Sequence, residues 1–147
     1  MSTPKILFVC TGNTCRSAMA MAIWQQIGSP DAESAGVSAW SGQPAAEYAK
    51  EAVRAFHASL ESHRARDLMD VDGPYDYVIT MTHAQRERVA KRRPEWASKT
   101  HVLSELVGEA GDIVDPAGQD LKAYTAVAEE IYRLLQKLKD QLDGNKS

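Results

Sequence analysis

Cys10, five residues, then Arg16 and Ser17: this spacing stands between an unbroken apolar run and a helical pattern. Each residue type has a chemical use there. A cysteine thiolate is a strong nucleophile. Arginine offers a planar, permanently charged fork that matches two phosphate oxygens. The intervening Thr11-Gly12-Asn13-Thr14-Cys15 has the composition to wrap an anion. Gly12 takes φ > 0 without steric cost and Asn13 tolerates the left-handed region. Alternating handedness turns successive N–H groups inward as an anion nest, and a helix start behind it adds further N–H groups and a positive dipole end. Those groups would also stabilise negative charge on the Cys10 sulfur. A thiolate beneath a bound phosphorus attacks in line with the leaving group, and the product is a phosphocysteine. Ser17 is placed to donate to the sulfur.

The elements that must hold this loop follow from the patterning. Ile6-Leu7-Phe8-Val9 is a short run with no polar interruption, as in a parallel-sheet strand buried on both faces. From Ala18 to Ile27, Met19, Ala22, Ile23 and Ile27 recur at helical spacing. The pattern then predicts a strand over 32–38, a loop at Trp40–Pro44, a helix over 44–57, and a strand over 75–81. A basic helix with a solvated face follows over 83–93, a fourth strand over 100–103, and a long helix over 123–142. Such alternation means a single α/β domain over 1–147, a four-stranded parallel sheet with helices on both faces, and a frayed tail at 143–147. Ligands bind outside the carboxyl ends of strands in such sheets, which is where Cys10 falls.

Composition narrows the partners. At 147 residues and 44% hydrophobic the chain can bury a core, while a net charge of −3 argues against nucleic acid. The apolar run is too short to span a bilayer and no signal-peptide pattern precedes it, so a cytoplasmic protein without membrane partners is expected. The only cysteines are Cys10 and Cys15, which make neither a disulfide framework nor a four-ligand zinc site. Neither metal nor cofactor is expected. Cys15 reads as a packed small residue or as a partner for a reversible disulfide with Cys10.

A leaving group needs a proton. Gly108, Gly111, Pro116 and Gly118 make 106–121 a loop, and Asp112, Asp115 and Asp120 all lie on it. Pro116 fixes the backbone beside Asp115, and Asp120 also reads as a helix N-cap.

VCTGNTCRS, Ser34-Ala35-Gly36, Ser62-His63-x-Ala65-Arg66 and Asp115-Pro116 together resemble the low-molecular-weight protein-tyrosine-phosphatase family over nearly the whole chain. The resemblance implies a flavodoxin-like fold, phosphorylated proteins as substrates, Cys10 as nucleophile and Arg16 as phosphate clamp. It makes Asp115 the general acid and later base, Thr11 to Cys15 and Ser17 the phosphate loop, and Trp40 a cleft wall. Ser34 and His63 are implied to brace Asn13. Two positions depart from tyrosine-specific members. Ala117-Gly118 stands where those carry tyrosine, and Thr11 where most carry an apolar residue. Thr11 is similar instead to the bacterial protein-arginine-phosphatase branch, and its hydroxyl can accept from a guanidinium N–H. Tyrosine phosphatase is the alternative. An arsenate reductase needs further cysteines for its disulfide relay and this sequence has none beyond Cys15, while a non-catalytic phosphate-binding module leaves Cys10, Arg16 and Asp115 without purpose.

Overall fold

The computed structural model describes residues 3–144. Four parallel strands, β1 (Ile6–Cys10), β2 (Glu33–Gly36), β3 (Tyr77–Thr80) and β4 (Thr100–Val102), lie in the order β2-β1-β3-β4. Because side chains alternate along a strand, β1 feeds two cores. Ile6, Phe8 and Cys10 join the cluster under α1 (Arg16–Ile27) and α5 (Leu121–Gly144). Leu7 and Val9 join the opposite cluster, with Val78, Val89 and Trp96. The sheet is therefore a middle layer, and an unbroken apolar run is what a central strand of such a sheet requires.

Helix α1 is buried over Arg16–Ala20 as well as at Ala22, Ile23 and Trp24, a wider face than a single stripe, because it packs on β1 and under α5 at once. The helix expected over 44–57 is α2 (Glu47–Val53) continued by a 3-10 turn over Arg54–Phe56, and Pro44 instead bridges to Arg64. His57 ends that turn exposed, in left-handed backbone. In α3 (His83–Arg92) the basic residues are not simply solvated. Arg92 donates to the Val37 carbonyl at 2.6 Å and pairs with Asp67 at 2.8 Å, while Arg88 reaches Ser38 Oγ at 2.8 Å. These arginines fasten the turn after β2 to α3. After β4 comes the single turn α4 (Leu103–Leu106), then an irregular segment up to α5. Helix α5 runs on through Asp143 and Gly144, so the tail does not fray at 143, and 145–147 lie outside the described residues. Among the described residues no helix is long and apolar enough to cross a membrane.

Strand β1 continues to β2 on one side, and the chain then crosses to β3 on the other. The carboxyl ends of β1 and β3 thus open a crevice at a topological switch point. Segments following all four strands meet there.

Candidate active site

Residues 10–15 curl around one point because the carbonyls of Cys10, Thr11, Asn13 and Thr14 are claimed on the outside. Val37 N donates to the Cys10 carbonyl at 2.9 Å and Ser38 N to that of Thr11 at 3.0 Å. His63 Nε2 meets the Asn13 carbonyl at 2.8 Å, and Ala46 N that of Thr14 at 2.9 Å. A trans peptide points its N–H opposite to its C=O. The N–H groups of Thr11, Gly12, Thr14 and Cys15 are therefore turned inward. Helix α1 starts at Arg16 with no side-chain cap and no acidic residue in its first turn, which leaves its amino-terminal N–H groups to the same concavity.

The left-handed residue of the loop is Asn13, with φ +59°; Gly12 is not in that region. Asn13 is held there from every side. Its Oδ1 accepts from Arg66 N at 3.0 Å, its carbonyl from His63, and its Nδ2 donates to Ser17 Oγ at 2.8 Å. A carbonyl only accepts, so His63 carries its proton on Nε2. Burial holds its pKa below the ordinary imidazole value, which favours the neutral ring. Ser34 does not take part. Its hydroxyl donates to Met21 Sδ at 3.3 Å, because it lies opposite Phe8 on β2, two residues short of the strand end where the loop begins.

The Cys10 sulfur lies 3.0 Å from Ser17 Oγ. Because Asn13 already donates to that oxygen, the Ser17 proton is directed at the sulfur or at the Ala35 carbonyl, 3.4 Å away. Arg16 is 5% exposed, and its Nη1 donates to the Ile113 carbonyl at 2.9 Å. Its Nε is a buried donor without a partner among the described residues, and its Nη2 stands 3.7 Å from Asp115 Oδ2. A phosphoryl oxygen in the loop would satisfy that nitrogen.

Asp115 is brought to the same mouth, with half of its side chain exposed. Its Oδ1 accepts from Ala117 N at 3.0 Å and lies 3.7 Å from Cys15 Sγ. Burial, with the charges of Cys10 and Asp115 behind it, pushes the Cys15 thiol up to about 12. The other two aspartates are occupied elsewhere. Asp112 accepts from His83 N at 3.0 Å and pairs with its ring at 2.7 Å, and Asp120 caps α5 through Ala123 N at 3.0 Å. Trp40 is 79% exposed, on the loop whose neighbour Ser38 bonds to Thr11. Thr11 Oγ1 accepts from Gln85 Nε2 at 3.2 Å. Gln85 and Ile113 escaped the sequence reading; the Thr82-x-x-Gln85 capping box after β3 was the available signal for the first.

Gly36 faces Cys10 across the β1–β2 register. A Cβ there would come within 2.5 Å of the Thr11 carbonyl and 2.8 Å of Ala39 Cβ. Gly36→Ala is expected to push the loop aside and lower kcat/KM by on the order of 10²-fold, the scale of a misplacement of about 1 Å. Retention of full aryl-phosphate turnover would show that the loop tolerates the shift.

A cradle of N–H groups, a buried guanidinium, a cysteine at its base and a carboxyl at its rim can bind a phosphate dianion and move it to sulfur. The sequence matches the model of the family described as low molecular weight phosphotyrosine protein phosphatase over residues 5–147, and the chain belongs to that family. Among its relatives, a protein-arginine-phosphatase of Geobacillus stearothermophilus is 36% identical over 143 residues, covering 94% of this chain and 95% of the relative. The low molecular weight protein-tyrosine-phosphatase PtpB of Staphylococcus aureus is 34% identical, covering 92% and 97%. A solved structure of the YwlE arginine phosphatase, a cysteine-to-serine mutant with a phosphorylated active-site serine, superposes with a TM-score of 0.86. It is 34% identical, with 95% of each chain covered.

Proposed function

We propose that this chain removes phosphate from phosphoarginine residues of proteins through a phosphocysteine intermediate. The Cys10 thiolate attacks phosphorus held by the loop N–H groups and Arg16, forming the P–S bond as the P–N bond breaks. Asp115 gives its proton to the departing guanidinium nitrogen. The same carboxylate then takes a proton from water, whose oxygen attacks phosphorus. Inorganic phosphate leaves and the thiolate returns. Ser17 stabilises the sulfur charge in both half-reactions, and Asn13 and His63 keep the loop curled. Trp40 flanks the entering side chain.

The observation that carries the choice of phosphoarginine is Thr11, the residue after the nucleophile, with its hydroxyl held by Gln85. A phosphoguanidinium brings N–H donors next to phosphorus, and this oxygen has a lone pair left for one of them. Ala117 and Gly118 put no aromatic ring beside Asp115, and Gly118 lies at φ +81°. That leaves room for a polar, flexible side chain. Phosphotyrosine is the second reading, favoured by the exposed indole of Trp40 as a surface for a phenol.

Side-by-side kcat/KM on phosphoarginine- and phosphotyrosine-containing proteins decides between them. Thr11→Ile is expected to lower the phosphoarginine value by about 5–150-fold relative to the phosphotyrosine value, the effect of about 1–3 kcal/mol for an unpaired buried donor. A parallel fall in both, or a wild type that already prefers phosphotyrosine, hands the assignment to the tyrosine reading.

A further inference from the structure

Gln85 is 3% exposed, at the third position of α3. Its Oε1 accepts from Met81 N and from Thr82 N, both at 3.0 Å. Two backbone donors can be met only by the amide oxygen, so the orientation of the amide follows from the peptide chain. Nε2 must then face the other way, and what it meets is Thr11 Oγ1 at 3.2 Å. The Thr11 side chain is thereby fixed: its oxygen and its methyl group cannot exchange places. One lone pair is spent on Gln85, and the other remains for a ligand together with a free hydroxyl proton. The anchor of this arrangement is rigid, since Gln85 N donates in turn to Thr82 Oγ1 at 3.2 Å and closes a capping box. Met81, which donates to Gln85, also accepts from Ile113 N at 3.0 Å, and Ile113 holds Arg16.

We infer that Gln85 is the positioning residue of substrate selection: by donating to Thr11 it presents the threonine oxygen, and not its methyl group, to the guanidinium of a phosphoarginine. The inference rests on the phosphoarginine reading above and adds to it a residue that never touches the substrate. It differs from a capping role in one respect. A cap supports all turnover alike, whereas a group acting through Thr11 alters the ratio of the two activities.

The test is a mutant cycle read as the ratio of kcat/KM on a phosphoarginine peptide to that on a phosphotyrosine peptide, with folding checked by thermal unfolding. Thr11→Val removes the hydroxyl at constant shape and is expected to lower the ratio at least about fivefold. Gln85→Met frees the Thr11 rotamer and is expected to lower it toward the Thr11→Val value. Gln85→Glu keeps an acceptor for Met81 N and Thr82 N at a position where capping boxes favour Glu, so the fold is retained. In that variant the Thr11 proton is drawn to the carboxylate and both lone pairs are left for substrate, so the ratio is expected to rise a fewfold above wild type. In a Thr11→Val background neither Gln85 substitution should move the ratio further, because the coupling runs through one hydroxyl. Should Gln85→Met not fold, Gln85→Glu with and without Thr11→Val still decides. An unchanged ratio in the single variant, or an equal rise in both backgrounds, overturns the inference. A Thr11→Val ratio equal to wild type overturns the phosphoarginine reading itself, which is a different result from Thr11→Val lowering the ratio while the Gln85 variants do not.

Discussion

Cys10→Ser is expected to yield a protein that folds and binds phosphate but whose turnover falls by on the order of 10⁴-fold or more, the scale seen when a covalent nucleophile is removed. The anion cradle does not depend on the sulfur. It is made by peptide groups whose carbonyls are fastened by Val37, Ser38, His63 and Ala46, and by Arg16, all of which the substitution leaves in place. The serine oxygen is smaller and stays near Ser17 Oγ, the present neighbour of the sulfur at 3.0 Å. What it lacks is the nucleophilicity of sulfur. Phosphate affinity, read as a shift in thermal unfolding with added phosphate, should stay within a few fold of wild type. Acid quench of the wild type during turnover should trap phosphorus on the chain. Undiminished hydrolysis by the serine variant would remove Cys10 from its role.

Arg16→Lys is the second large effect, expected to cost about 10²–10³-fold in kcat, comparable to losing one pre-aligned donor to a developing oxyanion. Three donor nitrogens of Arg16 now have separate duties. Nη1 holds the Ile113 carbonyl at 2.9 Å, Nη2 stands 3.7 Å from Asp115, and Nε is buried with no acceptor among the described residues. An ammonium cannot serve these directions at once. The lysine variant should therefore lose both a ligand for phosphate and the tie that holds the acid loop. Its signature is a rise in KM together with the fall in kcat, where a residue acting only on the transition state would change kcat alone. Near-wild-type kinetics would show that the loop is not built around a phosphate dianion.

The parts of this site that the sequence displayed are those in which one residue type has few alternative uses. Cys10, Arg16 and Ser17 were readable because a buried strand, a tight loop and a helix follow one another within a dozen residues, so local spacing is close to spatial arrangement. Asp115 was singled out from three aspartates on one loop by the family motif; the fold sets it 3.7 Å from Arg16, while Asp112 is bound by His83 and Asp120 is a cap. Ser34 misled because strand register cannot be seen along a single chain: two residues along β2 separate it from the loop that it was expected to brace. The basic helix misled for a related reason. Charge says that a side chain seeks a partner, but whether the partner is water or the Val37 carbonyl depends on what packs beside it. Gln85 was invisible as chemistry, since a neutral amide in a charged helix gains meaning only from the Thr11 side chain 74 positions away.

The hydrogen bond from Arg16 to Ile113 joins positions 97 apart in the chain. Closing so long a loop costs entropy that is recovered only when the intervening strands have paired, and contacts of that span form late. Cys10 belongs to the first strand of the fold and Asp115 to the last segment before the final helix, so the two come together only when the strands between them are in place. The grouping of Cys10, Arg16 and Asp115 is therefore a property of the completed sheet and of no shorter stretch of the chain.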